Sequence, residues 1–266
     1  MNNNSEDLIY FNNLSKLHDG KNIFFCKTDF LTNDFEKIRD LENPVILITG
    51  NSDYPIDDRR IKQMPSNIKK WYAQNLLVNH PKITPIPLGL ENKHISVREG
   101  HGVGYFDRAS LKETLLSSKH YENNPSKLIY ANFNVCTNYW HRRKVKKTCI
   151  QSKHIDWEVY NLSLDVFFKR ILDYEMVVCP IGNGIDTHRL WEVLYLKRIP
   201  IIIKHGNYKI YELYEKLPII ILNSRAELND YDLISERRNA LSSKKYNLEI
   251  LNSSFWENKI LDNLTL

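Results

Sequence analysis

The chain has 266 residues, 42% hydrophobic and 26% charged, an ordinary globular composition that argues against disorder or low complexity. Its formal charge of +5 is mildly basic, small and spread over many residues, which suits plain solubility first and a phosphate-bearing ligand or polyanionic acceptor second. No apolar run approaches the roughly twenty residues of a membrane span, and the opening MNNNSEDLIYF has no cationic stretch followed by an apolar core, so a cytoplasmic protein without signal peptide or transmembrane segment is expected.

In chain order, Asn22–Lys27 reads as a first strand and Thr32–Arg39 as a helix capped by Thr32 or Asn33. Pro44–Thr49 is a continuous apolar run, read as a central strand buried on both faces, and it ends in the polar turn Gly50–Pro55. Lys70–Val78 suits a short helix or a strand. Pro85 and Pro87 keep Ile83–Pro87 at a sheet edge or end. Gly89–Asn92 is a second polar turn. The pattern then loosens, with Gly100, Gly102 and Gly104 preceding one helical stretch, Arg108–Ser118.

The second half alternates more regularly. Lys127–Ala131 is a strand, Asn132–Asn138 a polar loop, and Tyr139–Ile150 a helix with a strongly basic face. Trp157–Tyr160 suits a short strand and Ser163–Asp173 a helix with Ser163 as cap. Next comes a βαβ unit: a buried strand at Met176–Cys179, a Pro/Gly turn at Pro180–Gly184, an amphipathic helix opened by Asp186 or Thr187, and a buried strand at Ile199–Ile203. A helix near Tyr208–Lys216, a strand at Leu217–Leu222 and helices at Glu227–Leu241 and Tyr246–Leu264 complete the chain. The alternation implies an α/β fold of two facing, doubly wound (Rossmann-like) lobes. The boundaries follow as a first lobe at 1–125, a second lobe at 126–245, and a terminal helix at 246–266 packing across the join. Four cysteines (Cys26, Cys136, Cys149 and Cys179) show no metal-ligand spacing, so a reduced protein is expected, with a single disulfide left open.

The polar residues of the βαβ unit gather where its first strand hands over to its helix, the place where α/β sheets bind anions. Pro180, Gly182, Asn183 and Gly184 form the turn; Asp186, Thr187, His188, Arg189 and Glu192 follow. Arg189 and Glu192 are three residues apart on one helix face and offer a cation for a diphosphate and a carboxylate for ribose hydroxyls. The same spacing equally suits a capped helix with an internal Arg/Glu pair. Asn132, Asn134, Thr137 and Asn138, with Arg142 or Arg143 one turn on, provide a second anion-binding junction. The neighbouring Lys144, Lys146 and Lys147 suit a solvated helix face. Together with Tyr139 and Trp140 they also suit a stripe facing nucleic acid.

The run Cys179–Ile202 resembles the donor-site signature of exostosin-like glycosyltransferases: a Pro/Gly turn, an Arg, then Glu-Ala-Leu and a Gly-x-(Ile/Val)-Pro strand. Its helix and strand are also similar in outline to those of fucosyltransferases. The chain departs from the pattern at Lys197-Arg198, where the family has a small pair. The resemblance implies a compact, two-lobed transferase of GT-B type, with a nucleotide-diphosphate sugar held mostly by the C-terminal lobe, Arg189 near the diphosphate and Glu192 near the ribose.

An inverting transfer needs a general base on the acceptor side. Asp53 and Glu91, each in a polar turn of the first half, are the candidates, with Asp53 preferred because its strand reads as the more buried. His80, His94 and His188 are alternatives. No DxD-type acidic pair lies in either of these two junctions, so metal-independent transfer without a cofactor is expected, the leaving-group charge being met by Arg189, Arg142 and helix amides. A glycan or other hydroxyl compound is the expected acceptor. The alternatives are hydroxymethylated DNA and a non-catalytic protein that binds nucleotide-sugar.

Overall fold

The computed structural model describes residues 8–10, 13–91, 112–116 and 124–265. Asn92, His94 and the glycines at 100, 102 and 104 lie outside them, as does most of the expected helix 108–118, of which residues 112–116 are helical (α3).

The first half builds a four-stranded sheet from β1 (Ile23–Lys27), β2 (Val45–Gly50), β3 (Ile68–Ala73) and β4 (Ile83–Pro85), all parallel and in sequence order. α1 (Leu31–Arg39) and α2 (Asp58–Lys62) belong to this lobe. The second half builds a five-stranded sheet from β5 (Lys127–Ala131), β6 (Ile155–Trp157), β7 (Tyr174–Val178), β8 (Ile199–Ile203) and β9 (Ile220–Leu222). Its order is β6-β5-β7-β8-β9, again wholly parallel. Its helices are α4 (Tyr139–Gln151), α5 (Leu164–Asp173), α6 (His188–Tyr195), α7 (Tyr211–Tyr214) and α8 (Tyr231–Ser242), and α9 (Ser253–Thr265) ends the chain. The expected α/β fold with two parallel sheets is the observed one.

The strands alternate between two cores, as a period of two requires. Ile46 and Ile48 of β2 enter a cluster that also takes Val177 of β7 and Ile202 of β8, so both sheets share this central layer with Phe168, Trp191, Tyr195 and Trp256. Val45 and Leu47 face the outer core of the first sheet, and Met176, Val178, Ile201 and Ile203 face that of the second. The sequence pattern left Lys70–Val78 open between helix and strand. A strand wins because Trp71, Tyr72 and Ala73 are all fully buried between two layers, whereas a surface helix would bury only one stripe.

Several helix limits shift for local reasons. Asp230 caps α8 by accepting from the Leu233 amide at 3.0 Å, so the helix starts at Tyr231 after a 3-10 turn rather than at Glu227. Asn247 caps a separate 3-10 turn, Leu248–Leu251, which splits the expected final helix. The Tyr72 hydroxyl and Lys69 ammonium then donate to the carbonyls of Lys259 and Asn263 at 3.0 and 3.1 Å, tying α9 to the first sheet.

Residues 8–10 run between the lobes: the Ile9 amide donates to the Tyr195 hydroxyl at 2.9 Å and the Ile9 carbonyl accepts from the Leu90 amide at 2.7 Å. Gly89 is required there, because its φ is +70° and an added Cβ would sit 2.4 Å from the Ile9 carbonyl oxygen. All four cysteines are free. Among the described residues no helix is long and apolar enough to cross a membrane.

Candidate functional site

In the second sheet the chain passes from β5 to β6 on one side, then returns to β7 on the other. Strand order therefore reverses between β5 and β7, and the loops leaving their carboxyl ends must part there, opening a crevice. Those loops are Asn132–Asn138 and Pro180–Thr187. Opposite them stand the turns that leave the carboxyl ends of β2 and β4. Between the two sets lies a cleft of about 480 Å³, lined from the first half by Asp53, Leu88, Glu91 and Lys112. The second half contributes Asn134, Thr137, Arg142, Pro180, Gly182, Asn183, Gly184, Asp186, Thr187, His188, Arg189 and Glu192. Phe133, Cys136 and Tyr160 complete the lining.

The two arginines have different duties. Arg142 is buried, and its guanidinium donates to three carbonyls: Ile181 at 2.8 Å, Asn134 at 2.8 Å and Pro180 at 3.3 Å. It therefore ties the two loops together across the crevice. Burial, with Arg189 as a like charge, pulls its pKa down to about 10. Arg189 lies against the Phe167 ring, 3.9 Å from its centroid, and donates to the Asn132 carbonyl at 2.5 Å and to Glu192 at 3.2 Å. The amides of Asn183 and Gly184 donate to no described residue, so the Pro180–Gly184 turn presents unused N–H groups beside these cations.

A buried ionic network lies at the junction of the lobes. Lys112 is 1% exposed, and its ammonium stands 2.5 Å from Glu192 Oε1 and 2.8 Å from Glu91 Oε2. Glu192 Oε2 faces Arg189. Burial pushes both carboxyl groups up, but Lys112 outweighs it, helped by His188 at Glu91 and by Arg189 at Glu192, and holds both below the usual carboxylate range. His188 Nδ1 is 2.8 Å from the Gly89 carbonyl, which fixes its ring across the same junction. The sequence reading missed Lys112. Its signal is faint: a charge one turn before Leu116 on the same helix face, where Leu116 is buried.

Asp186 is a clamp between lobes. Its carboxylate accepts from the Leu88 amide at 2.8 Å, the Thr187 amide at 2.8 Å and the Trp191 indole at 2.9 Å. Its own amide donates to Asn75 Oδ1 at 3.0 Å, and Asn75 reaches on to the Ser52 carbonyl at 2.9 Å. Gly184 packs so closely here that a Cβ would lie 2.8 Å from Asn75 Oδ1. Burial pushes the Asp186 carboxyl up to about 6 despite these donors. Thr187 takes the cap position of α6 without a side-chain cap bond.

Asp53 is exposed on the cleft wall, its Oδ2 accepting from Asn183 across the gap at 3.2 Å. Glu91, the other acid/base candidate, is ion-paired and buried, which suits it less to taking up a proton. Four of the residues singled out from sequence do not line the cleft. Asn132 turns its amide to the Val159 carbonyl at 3.1 Å, Asn138 donates to the Gly182 carbonyl at 2.7 Å, and Arg143 is exposed beside the Tyr139 ring. His80 lies before β4, at the other end of its strand, where Nδ1 accepts from the Lys82 amide at 3.3 Å.

No protein-family model matches the chain, and no curated protein sequence matches it. Among solved structures, an apo structure of OtsA is similar over 90% of this chain and 70% of that one, with 10% identity and a TM-score of 0.44. A structure described as trehalose-6-phosphate from E. coli bound with UDP-2-fluoro glucose is similar over 94% and 72%, again with 10% identity and a TM-score of 0.44.

Proposed function

We propose that the chain is a GT-B-type glycosyltransferase that moves a sugar from a nucleotide-diphosphate donor to a hydroxyl acceptor, with a glycan as the favoured acceptor. The observation that carries this reading is the crevice at the β5/β7 reversal, where Arg189 and the unbonded turn amides face an exposed carboxylate, Asp53, on the other lobe. The exostosin-like pattern of Cys179–Ile202 supports the same assignment. The diphosphate sits against the Pro180–Gly184 turn and Arg189, with the ribose beside Glu192, whose carboxylate oxygens hold Lys112 and Arg189.

In the inverting form of the reaction, the acceptor oxygen bonds to the anomeric carbon as the bond from that carbon to the diphosphate oxygen breaks. The acceptor proton passes to Asp53, and the departing electron pair goes to the nucleoside diphosphate, whose charge Arg189 and the turn amides meet without a metal ion. Arg142 acts indirectly, by holding the turn in shape. A second reading, with hydroxymethylated DNA as acceptor, draws on Tyr139 and Trp140, which are 46% and 74% exposed at the start of α4 beside Arg143.

A panel of nucleoside diphosphates and nucleotide-sugars, screened by thermal shift, tests the reading. One nucleotide series should raise the melting temperature, because a ligand at about a hundredfold over its Kd adds about 2.7 kcal/mol. Arg189→Ala should cut that rise to about half or less, and the stabilising donor should release free sugar or transfer product. Silence across the panel would refute the donor site. Binding without turnover would leave a non-catalytic binding protein. Duplex binding that weakens steeply with salt would turn the acceptor assignment to DNA.

A further inference from the structure

A second concave surface runs along β4, the outer strand of the first sheet. It is a groove of about 340 Å³ that shares no lining residue with the cleft described above. Ile83, Thr84 and Pro85 form one bank. Lys209, Glu212, Leu213 and Lys216 come from the second lobe, and Phe255, Trp256 and Lys259 from α9. Lys70 reaches it from β3. Three separate pieces of the chain therefore meet there, next to two bonds that join the lobes: the Ile210 amide to the Leu76 carbonyl at 3.2 Å and the Lys209 amide to the Leu77 carbonyl at 3.4 Å.

The charges in the groove are unbalanced. Among the described residues, the ammonium groups of Lys70, Lys216 and Lys259 have no hydrogen bond and no ion pair. Lys259 rests instead over the rings of Trp256 and Phe255, at 5.3 and 5.5 Å. Among the described lining residues the one carboxylate, Glu212, is already bonded to Lys209 at 2.6 Å. Burial pulls the Lys259 pKa down, and Lys216 and Lys70 pull it further by repulsion, so the three charges act on one another in a partly desolvated space. Unpaired surface lysines ordinarily spread apart into water. Three that line one groove, from three elements and with Lys259 over an aromatic floor, make a cradle for an anion.

We infer that this groove is a second ligand site, built for a small, multiply charged phosphate and distinct from the donor cleft. The ligand bridges the first sheet, the second lobe and the terminal helix, so its binding braces the junction between them. The chemistry is shared by free pyrophosphate and by a phosphate ester whose organic part lies on Phe255 and Pro85.

The test uses the 266-residue chain carrying Arg189→Ala, which weakens anion binding in the donor cleft. Titration with inorganic pyrophosphate, followed by calorimetry and thermal shift, should show saturable binding at one site. Lys216→Gln, at an exposed position, should weaken it about tenfold, and adding Lys70→Gln and Lys259→Gln should abolish it. Without ligand the same substitutions should leave the melting temperature equal or higher, because they relieve repulsion. Phenyl phosphate that binds more tightly than inorganic phosphate assigns the site to an ester, and the reverse order assigns it to the free anion. Pyrophosphate binding that ignores the lysine substitutions, or no binding at all in the Arg189→Ala chain, would overturn the inference. Neither outcome bears on the donor site, which is tested in the chain with Arg189 intact.

Discussion

Lys112→Met tests the ionic network most directly. Methionine keeps most of the volume, so the change removes a charge more than it opens a cavity. Lys112 is 2% exposed at its side chain, and its partners Glu91 and Glu192 are 8% and 5% exposed, so water cannot replace it. Removing one partner from such a buried ionic cluster costs about 3–5 kcal/mol, a large share of the roughly 5–15 kcal/mol that holds a domain folded. The pH dependence separates this from a packing loss. In the parent, both carboxyl groups have folded pKa values below their unfolded ones, so their stabilisation is present above the unfolded pKa and is lost as pH falls through the folded values. In the variant, burial is opposed far more weakly, Glu91 and Glu192 take up protons more readily, and the penalty shrinks from about pH 7 to about pH 4.5. Urea unfolding at both pH values measures the difference. Adding Glu91→Gln should recover much of the loss near neutrality. A penalty below about 1 kcal/mol, or one that is the same at both pH values and is not recovered by Glu91→Gln, would refute the reasoning.

Lys197 has φ +56° at the end of α6, where its amide bonds the Leu194 carbonyl and the Arg198 amide bonds the Val193 carbonyl, a Schellman arrangement. Lys197→Gly should therefore raise stability by about 1 kcal/mol in chemical denaturation. Arg142→Ala strips partners from three carbonyls and should lower the melting temperature more than Arg189→Ala, while Arg189→Ala should lose more nucleotide affinity, by about tenfold or beyond. Burial raises the folded pKa of Asp186 to about 6, so its ionisation costs stability as pH rises through the window from about 4 to about 6. Relative to Asp186→Asn, the parent should therefore lose stability across that window, read from paired unfolding curves.

The strands were legible because a parallel strand buried on both faces writes a continuous apolar run: β2, β5 and β8 were placed within a residue or two. The turn and helix of the site were legible for a related reason, since glycines, an arginine and a carboxylate clustered after such a run. What the side chains do there was not. Asp186 reads as a cap or a ligand in one dimension, yet it bridges the lobes, because its carboxylate accepts from the amide of Leu88, distant in sequence. Lys112 lay in a stretch without clear periodicity, and its partners come from β4's exit and α6, which only the tertiary fold unites. Lys197 at a left-handed position was visible as a departure from the family pattern, although its backbone geometry was not.

The two anion-facing surfaces differ in how they hold their charge, and that difference decides how each would bind. In the cleft, Lys112, Arg142 and Arg189 are offset by Glu91, Glu192 and Asp53, and burial favours a proton on Asp186 below about pH 6, so little net field reaches the solvent. A diphosphate bound there depends on directed donors, the turn amides and what Arg189 has left over, in a partly buried setting that salt screens weakly. The groove along β4 has the opposite construction: three ammonium groups without carboxylate partners among the described residues, at least one of them exposed to the solvent. Attraction there is mostly unscreened charge, and it should fall off as the Debye length contracts from about 10 Å at 0.1 M salt to about 3 Å at 1 M. Salt titration of nucleotide binding to the parent and of pyrophosphate binding to Arg189→Ala should therefore give a shallow slope and a steep one. Equal slopes would mean that both ligands occupy one kind of site, and the separation between a recognising cleft and a charge cradle would fail.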